Sequence, residues 1–384
     1  MHFFVLVLTF FAALFWILNT VDMALGVARV KRLAEVSPLK DADCPSVSIM
    51  FAARDEAEKL PGALEKLLAL DYPNYEVVAV NDRSEDGTRE ILESAASCDG
   101  RLKVVQISSL PAGWLGKPHA LQKAYEHASG EWLVFTDADV HFSPDLLRRT
   151  VALARGENWD HMTMLGRVEM HGPAEKIAMT FIAMAFLMGM RPWWVSNPKS
   201  PFYAGIGAFQ LIRRRAYEAI GGHQRLAMEV VDDMKLGKLV KEGGFRSGVA
   251  NSGDMVTVRW HAGVGNIVRG TTKNFFAAGG FRLWITVLQV TGLLWMFVLP
   301  LVAMAFVQGV RLVFALIAVA MAIVAEAGVA LEFGISPLYA LTYPIGALIF
   351  AWMITRSAIV TLWSGGITWR GTFYRLEELK RGVV

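Results

Sequence analysis

Phe3 to Val21 contains no charged residue, and every fold open to this chain must accommodate that stretch first. At about 1.5 Å of rise per residue, a helix of this length nearly crosses a hydrocarbon core about 30 Å thick. We read residues 1–27 as a membrane anchor. The alternative is a cleaved signal peptide, but the apolar run is long, has no basic n-region and lacks a convincing small-residue cleavage site before Arg29. Arg29, Lys31, Arg32 and Lys40 follow it against a single nearby carboxylate, Glu35. The positive-inside rule therefore places the next segment in the cytoplasm.

Composition agrees with a mixed protein. With 54% hydrophobic and 19% charged residues, the chain is too apolar for an ordinary soluble enzyme and too charged for a pure membrane bundle. Its net charge of +3 argues against a dedicated nucleic-acid binder, which needs a concentrated basic face. Cys44 and Cys98 offer neither a disulfide framework nor a zinc cluster. Residues 44–282 are globular in composition and long enough for one sizeable core.

Beyond Arg282 the chain turns apolar again over residues 283–364. Leu283 to Val310, Leu312 to Ala325 and Phe333 to Thr355 read as three further spans, the middle one the weakest. Three crossings would leave the basic tail, residues 365–384, outside the cell, against the charge rule. Either one segment does not cross or the rule fails. A further apolar stretch, residues 177–194, lies inside the globular region and ends in Arg191-Pro192-Trp193-Trp194. A crossing there would separate the two halves of the site described below, so it reads as an interfacial helix with an aromatic anchor, with a buried core helix as the alternative.

Apolar runs and helical periods alternate through the globular region. Strands are expected at Val47–Ala53, Tyr75–Val80, Leu102–Ile107 and Trp132–Thr136, and helices at Leu60–Leu70, Thr88–Ala96 and Pro118–Ala128. The alternation predicts an α/β domain with a parallel sheet, whose ligands bind beyond the carboxyl ends of the strands. The residues at those ends are polar: Arg54-Asp55-Glu56, then Asn81-Asp82-Arg83-Ser84-Glu85-Asp86-Gly87-Thr88, then Asp137-Ala138-Asp139. Asp82 can accept hydrogen bonds from a nucleobase N–H or ribose hydroxyls, while Ser84 and Asp86 fit turn and cap roles equally well. Asp137 and Asp139 flank a small residue, so two hard oxygen ligands leave one turn and can hold a divalent cation. His141 reads as a loop residue and not as a further ligand.

Gly113-Trp114-Leu115-Gly116-Lys117 runs into a helix start, where backbone amides and the Lys117 ammonium favour an anion. It lacks the Walker A spacing. Further on, Asp232 and Asp233 open a helix that runs to Val240. Adjacent acids there complement the helix dipole, and one of them can serve as a general base toward an acceptor hydroxyl.

These elements, in this order, resemble membrane-bound glycosyltransferase family 2 over nearly the whole chain. The resemblance implies a GT-A fold with an N-terminal and several C-terminal transmembrane helices. It also implies a nucleotide-sugar donor of the UDP type, Mg or Mn at Asp137 and Asp139, and an inverting displacement with the second acid of the pair, Asp233, as base beside Asp232. Arg54, Glu56, Asp82, Ser84, Lys117 and Asp137 become donor-binding candidates. Within the family, Gly113 to Lys117, Gly265 to Asn274 and the tail Trp369-Arg370-Gly371-Thr372-Phe373-Tyr374 look like the hopene-associated, carotenoid and ceramide transferases, which glycosylate lipid-borne acceptors.

One departure matters. The Gln-x-x-Arg-Trp motif of processive synthases is absent, because Arg259-Trp260 is not preceded by Gln or Arg at the needed spacing. That leaves the diphosphate-covering arginine unassigned, with Arg269 and Lys273 as substitutes. The expectation is thus a multi-pass enzyme of the inner membrane, its catalytic domain in the cytoplasm, that glycosylates a hopanoid, carotenoid, ceramide or glycerolipid. The alternatives are a processive polysaccharide synthase and a non-catalytic membrane protein with a degenerate nucleotide-sugar domain.

Overall fold

The chain divides into an apolar helical part and a mixed α/β part in the computed structural model, which describes residues 2–384. Two compact units result: residues 2–29, 170–191 and 260–367 form one, and residues 30–169, 192–259 and 368–384 the other.

The first unit is helical. Among the described residues, five helices are long and apolar enough to cross a membrane: Phe3–Val27, Gly172–Val195, Leu283–Ala303, Val310–Glu332 and Pro337–Ser364. Helices in lipid gain little from apolar surface alone, so they pack through small residues and specific bonds. Ala315, Ala318, Ala322 and Ala325 are accordingly buried along one stripe of Val310–Glu332, against which the N-terminal helix lies. Trp16 is wholly buried and donates Nε1–H to the Met296 carbonyl at 2.8 Å. That carbonyl belongs to a π-helical turn, Leu294–Val298, in which the ordinary helical bonding is displaced.

The second unit is built on one nine-stranded sheet. Its strands are β1 (Lys31–Arg32), β2 (Val47–Ala53), β3 (Tyr75–Asp82), β4 (Leu102–Ile107), β5 (Trp132–Asp137), β6 (Val140–Phe142), β7 (His161–Val168), β8 (Gln210–Arg213) and β9 (Ser247–Val258). The spatial order is β1-β9-β7-β8-β5-β2-β3-β4, with β6 paired to β9. The four strands expected from the alternation, β2 to β5, are all present and parallel. The sheet as a whole is mixed, which corrects the expectation of a parallel one: β8 runs antiparallel to both β5 and β7. Four residues of β8 are too short a run to register as a strand by periodicity.

Strand alternation divides the core between two faces. Ile49, Phe51, Val77, Ala79 and Val134 pack with Leu60, Leu64, Leu67, Leu92, Leu147 and Val151. Met50, Val78, Val80, Leu133 and Phe135 pack on the other face with Ala120, Leu121, Leu236 and Leu239. The second set fixes two helices, Gly116–His127 and Asp232–Glu242, under the carboxyl edge of the parallel strands.

Glu76 ties the opposite edge together. Its carboxylate accepts the Ser48 hydroxyl at 2.6 Å and the Ser129 amide at 2.6 Å, and it pairs with Lys103 at 2.5 Å. Burial alone would raise its pKa, but these donors outweigh burial and bring it from 4.5 down to about 2. The contribution is therefore complete above the unfolded pKa and is lost as pH falls toward the folded one. Glu76→Gln is expected to cost about 2 kcal/mol at pH 7. The deficit should narrow below pH 4, as read from thermal unfolding of the detergent-solubilised protein across that range.

Candidate active site

Backbone turns at the ends of β2 and β3 hold the first part of the site. Asp55 has φ of 54° and Arg83 57°, left-handed values that need outside support in residues with a Cβ. The two loops supply it mutually. The Asp55 amide donates to the Ser84 hydroxyl at 3.1 Å, the Glu85 amide to the Asp55 carboxylate at 2.8 Å, and the Glu56 amide to the Thr88 hydroxyl at 2.9 Å. Asp86 accepts the Ala57 and Thr88 amides. Ser84 and Asp86 thus hold the turn through these hydrogen bonds. Glu56 is directed to Arg370 in the chain's tail. Burial raises the Glu56 pKa, Arg370 and Lys59 oppose that shift, and the Asp139 charge adds to it.

Asp82, the last residue of β3, is buried and accepts both arms of Arg83, at 2.7 and 3.0 Å. Gly116 closes on this pair: a Cβ there would stand 2.7 Å from Asp82 Oδ2 and 3.0 Å from the Arg83 guanidinium. The glycine of the Gly-Trp-x-Gly-Lys segment is therefore required by close approach, and it brings Asp82 to the N-terminus of the helix that carries Lys117.

Lys117 donates to Asp137 at 2.6 Å. Burial disfavours its charge, but Asp137, Asp232 and Asp233 together outweigh burial and hold its pKa above the ordinary lysine value. Asp233 accepts the Gly207 amide at 2.9 Å through Oδ2 and its own helix's Met234 amide at 2.8 Å through Oδ1. Gly207 stands at the centre of the group. A Cβ on it would lie 2.9 Å from Asp137 Oδ2, 3.2 Å from Asp233 Oδ2 and 3.3 Å from Lys117 Nζ. Asp137, Asp233 and Lys117 therefore converge on one spot, although they are far apart in the chain.

Asp139 is paired with Lys59 at 2.8 Å, and Ala138 between the two acids is buried. Among the described residues no group of three or more His, Cys, Asp or Glu is arranged around a metal position. Two hard carboxylates on one turn are a sufficient protein share for a cation of the Mg type, which keeps water and substrate oxygens for its other positions. His141 is exposed on β6. Asp232 is buried, with Oδ2 4.0 Å from Nε2 of His223. Burial and the Lys117 charge lower the His223 pKa to about 3, so this histidine is neutral. The Tyr217 hydroxyl accepts the His223 amide at 2.9 Å and lies 2.8 Å from Nδ1.

Arg269 and Lys273 belong to the other unit, where they bond to Asn266 at 2.7 Å and Asn274 at 3.0 Å. Lys59, Gly207 and His223 at the site were not singled out by sequence reasoning, and Arg370 and Tyr374 were named only within the tail segment of the resemblance, without a role. The alternate glycines Gly205 and Gly207, set in an otherwise apolar segment, were the available signal for close backbone approach.

With this geometry in hand, residues 48–221 match the model of glycosyl transferase family 2. The chain carries a family 2 glycosyltransferase domain. It is 29% identical over 199 residues to the beta-monoglucosyldiacylglycerol synthase of Trichormus variabilis, a match covering 50% of the chain and 40% of that relative. It is 22% identical over 232 residues to the 4,4'-diaponeurosporenoate glycosyltransferase of Staphylococcus haemolyticus, covering 60% of each. A mannosyltransferase of Pyrobaculum calidifontis, solved with GDP-Man and Mn2+, superimposes with a TM-score of 0.57 at 19% identity over 94% of this chain and 99% of that one. The sheet is thus of the GT-A type.

Replacing Lys117 by Met removes the ammonium that donates to Asp137 and stands beside Asp232 and Asp233. Stability at pH 7 should fall by about 2 kcal/mol, the scale of a hydrogen bond to a charged group. Thermal unfolding of the variant beside the wild type checks this, and an unchanged melting temperature would contradict it.

Proposed function

We propose that this protein is an inverting glycosyltransferase that moves a sugar from a nucleotide-sugar donor of the UDP type to the polar end of a membrane lipid. The observation that carries the reading is the convergence of Asp137, Asp233 and Lys117 around Gly207. Such a group pairs a base with an anion site, which displacement at an anomeric carbon requires. The relatives named above for a glucosyldiacylglycerol and a diaponeurosporenoate support a lipid acceptor, and the neighbour solved with GDP-Man and Mn2+ supports a nucleotide-sugar donor with a divalent ion.

In this reading Asp82 accepts donors from the nucleoside, and Lys117 with the helix N-terminus receives the diphosphate. Asp233 takes the proton of the acceptor hydroxyl as its oxygen bonds to the anomeric carbon. The carbon–oxygen bond to the diphosphate breaks on the opposite face, and the nucleoside diphosphate leaves. Asp233 is oriented for this role because Gly207 and Met234 amides fix both of its oxygens. Asp137 and Asp139 would hold Mg or Mn, which when bound neutralises charge on the leaving diphosphate. General-base help of this kind contributes about 10²- to 10⁴-fold. Asp233→Asn should therefore bind donor nearly as well as wild type and turn over at least a hundredfold more slowly. Asp139→Ala should lose metal-dependent donor binding. Intact turnover in both would refute the assignment, and mass spectrometry of lipid extracts with and without the protein identifies sugar and acceptor together.

The paths of the chain argue for a definite topology. β7 precedes the helix Gly172–Val195 and β8 and β9 follow it, yet all three pair in one sheet. Both ends of that helix then lie on one side, consistent with an interfacial or re-entrant course. The tail likewise returns to the loops of the catalytic unit through Arg370 and Tyr374. An even number of the three C-terminal helices must then cross, which removes the conflict with the positive-inside rule. Topology reporters fused after Arg29 and after Val384 are expected on the same, cytoplasmic side, with at least one of the loops 304–309 and 333–336 outside. A tail on the opposite side would overturn this arrangement.

A further inference from the structure

The turn Arg370–Gly371 runs against local preference. Both residues have positive φ, 46° and 75°, the signs of a two-residue turn that Asn-Gly or Asp-Gly normally supplies. An arginine carries its Cβ into the left-handed region at a cost of about 1 kcal/mol. Such strain persists where the surroundings hold it and where the side chain has a task.

The surroundings are the loops of the site. Arg370 pairs with Glu56, the Thr372 hydroxyl accepts from Arg54 at 3.3 Å, and the Tyr374 hydroxyl accepts the Gly116 amide at 3.2 Å. Tyr374 also bonds to Arg83, the partner of Asp82. Three residues of the tail thus touch the loop after β2, the loop after β3 and the N-terminus of the Lys117 helix. The charge balance there leaves a gap. Lys117 is matched by Asp137, Lys59 by Asp139, and Arg83 by both oxygens of Asp82. A diphosphate adds at least two negative charges. Arg370 is a cation on the open side, as exposed as Lys59 but paired with a largely buried acid: its side chain is 49% exposed, whereas Glu56 is 12% exposed and burial disfavours its charge. Glu56 engages one Nη of a planar group that carries five donors suited to phosphate oxygens.

We propose that residues Arg370–Tyr374 form a strap that completes the donor site. Arg370 binds the diphosphate of the nucleotide-sugar, and Tyr374 holds the Gly116 amide and Arg83 in position. The proposal rests on the nucleotide-sugar reading above and assigns the role for which Arg269 and Lys273 stood as substitutes.

The test is equilibrium binding to the full-length protein in lipid nanodiscs with Mn2+, using UDP, GDP, uridine and guanosine as probes. Arg370→Gln should weaken the preferred nucleoside diphosphate at least tenfold while leaving its nucleoside unchanged, and Arg370→Lys should recover part of the loss. Tyr374→Phe should weaken the diphosphate by a smaller factor. Arg370→Asn guards against misfolding, because Asn suits the left-handed turn better than Arg. It should keep the wild-type melting temperature within a few degrees while losing diphosphate affinity. Failure of wild type to bind either diphosphate would sink the donor reading and the strap with it. Binding by wild type with equal diphosphate affinity in Arg370→Gln would sink the strap alone, as would an equal loss for the nucleoside.

Discussion

A single ammonium surrounded by carboxylates is the constraint on which the site depends. Lys117 is the ammonium that Asp137, Asp232 and Asp233 share, and like charges gathered at that density favour a cation among them. The geometry that permits this is supplied by a missing side chain. Gly207 leaves the space into which two acids and the lysine converge, and its amide fixes one oxygen of Asp233. The position of the cluster follows from packing: the two helices that carry Lys117 and Asp233 share one apolar face of the sheet with Met50, Val78 and Phe135. Core and chemistry are therefore the two ends of the same helices.

Much of the first half of the sheet was legible because β2, β3 and β5 are buried on both faces and read as largely apolar runs, while β4 is an edge strand whose exposed Lys103 and Gln106 leave a short apolar pattern still bounded by Leu102 and Ile107. Val47–Ala53 and Leu102–Ile107 are found with the expected bounds. The second half was not legible. β8 has only four residues, and β9 bends through a register shift near Gly253, so neither presents a clean period. The expected acids were named because carboxylates after buried strands are unusual. The glycine among them was missed because a glycine's role lies in what surrounds it, and that requires the distant Asp233 to be brought near.

A lysine on each acid neutralises the acidic turn. Asp137 and Asp139 each rest on a lysine from a different element. The pairs offset the repulsion between the acids, and both lysines approach from flexible stems that a stronger ligand can displace. Under the proposed function, a cation and a diphosphate would exchange one set of neutralising partners for another.

The order in which the sheet is threaded sets a problem for biosynthesis. β8 lies between β5 and β7, yet the apolar helix Gly172–Val195 emerges from the ribosome before it. On the membrane reading proposed above, the edge of β5 stays unpaired until that helix has entered lipid and β8 has followed, and an open apolar strand edge invites association with other chains. Delivery to a bilayer would then govern when this sheet can close, and slow targeting would show first as aggregation of nascent chains, before any deficit in the finished protein.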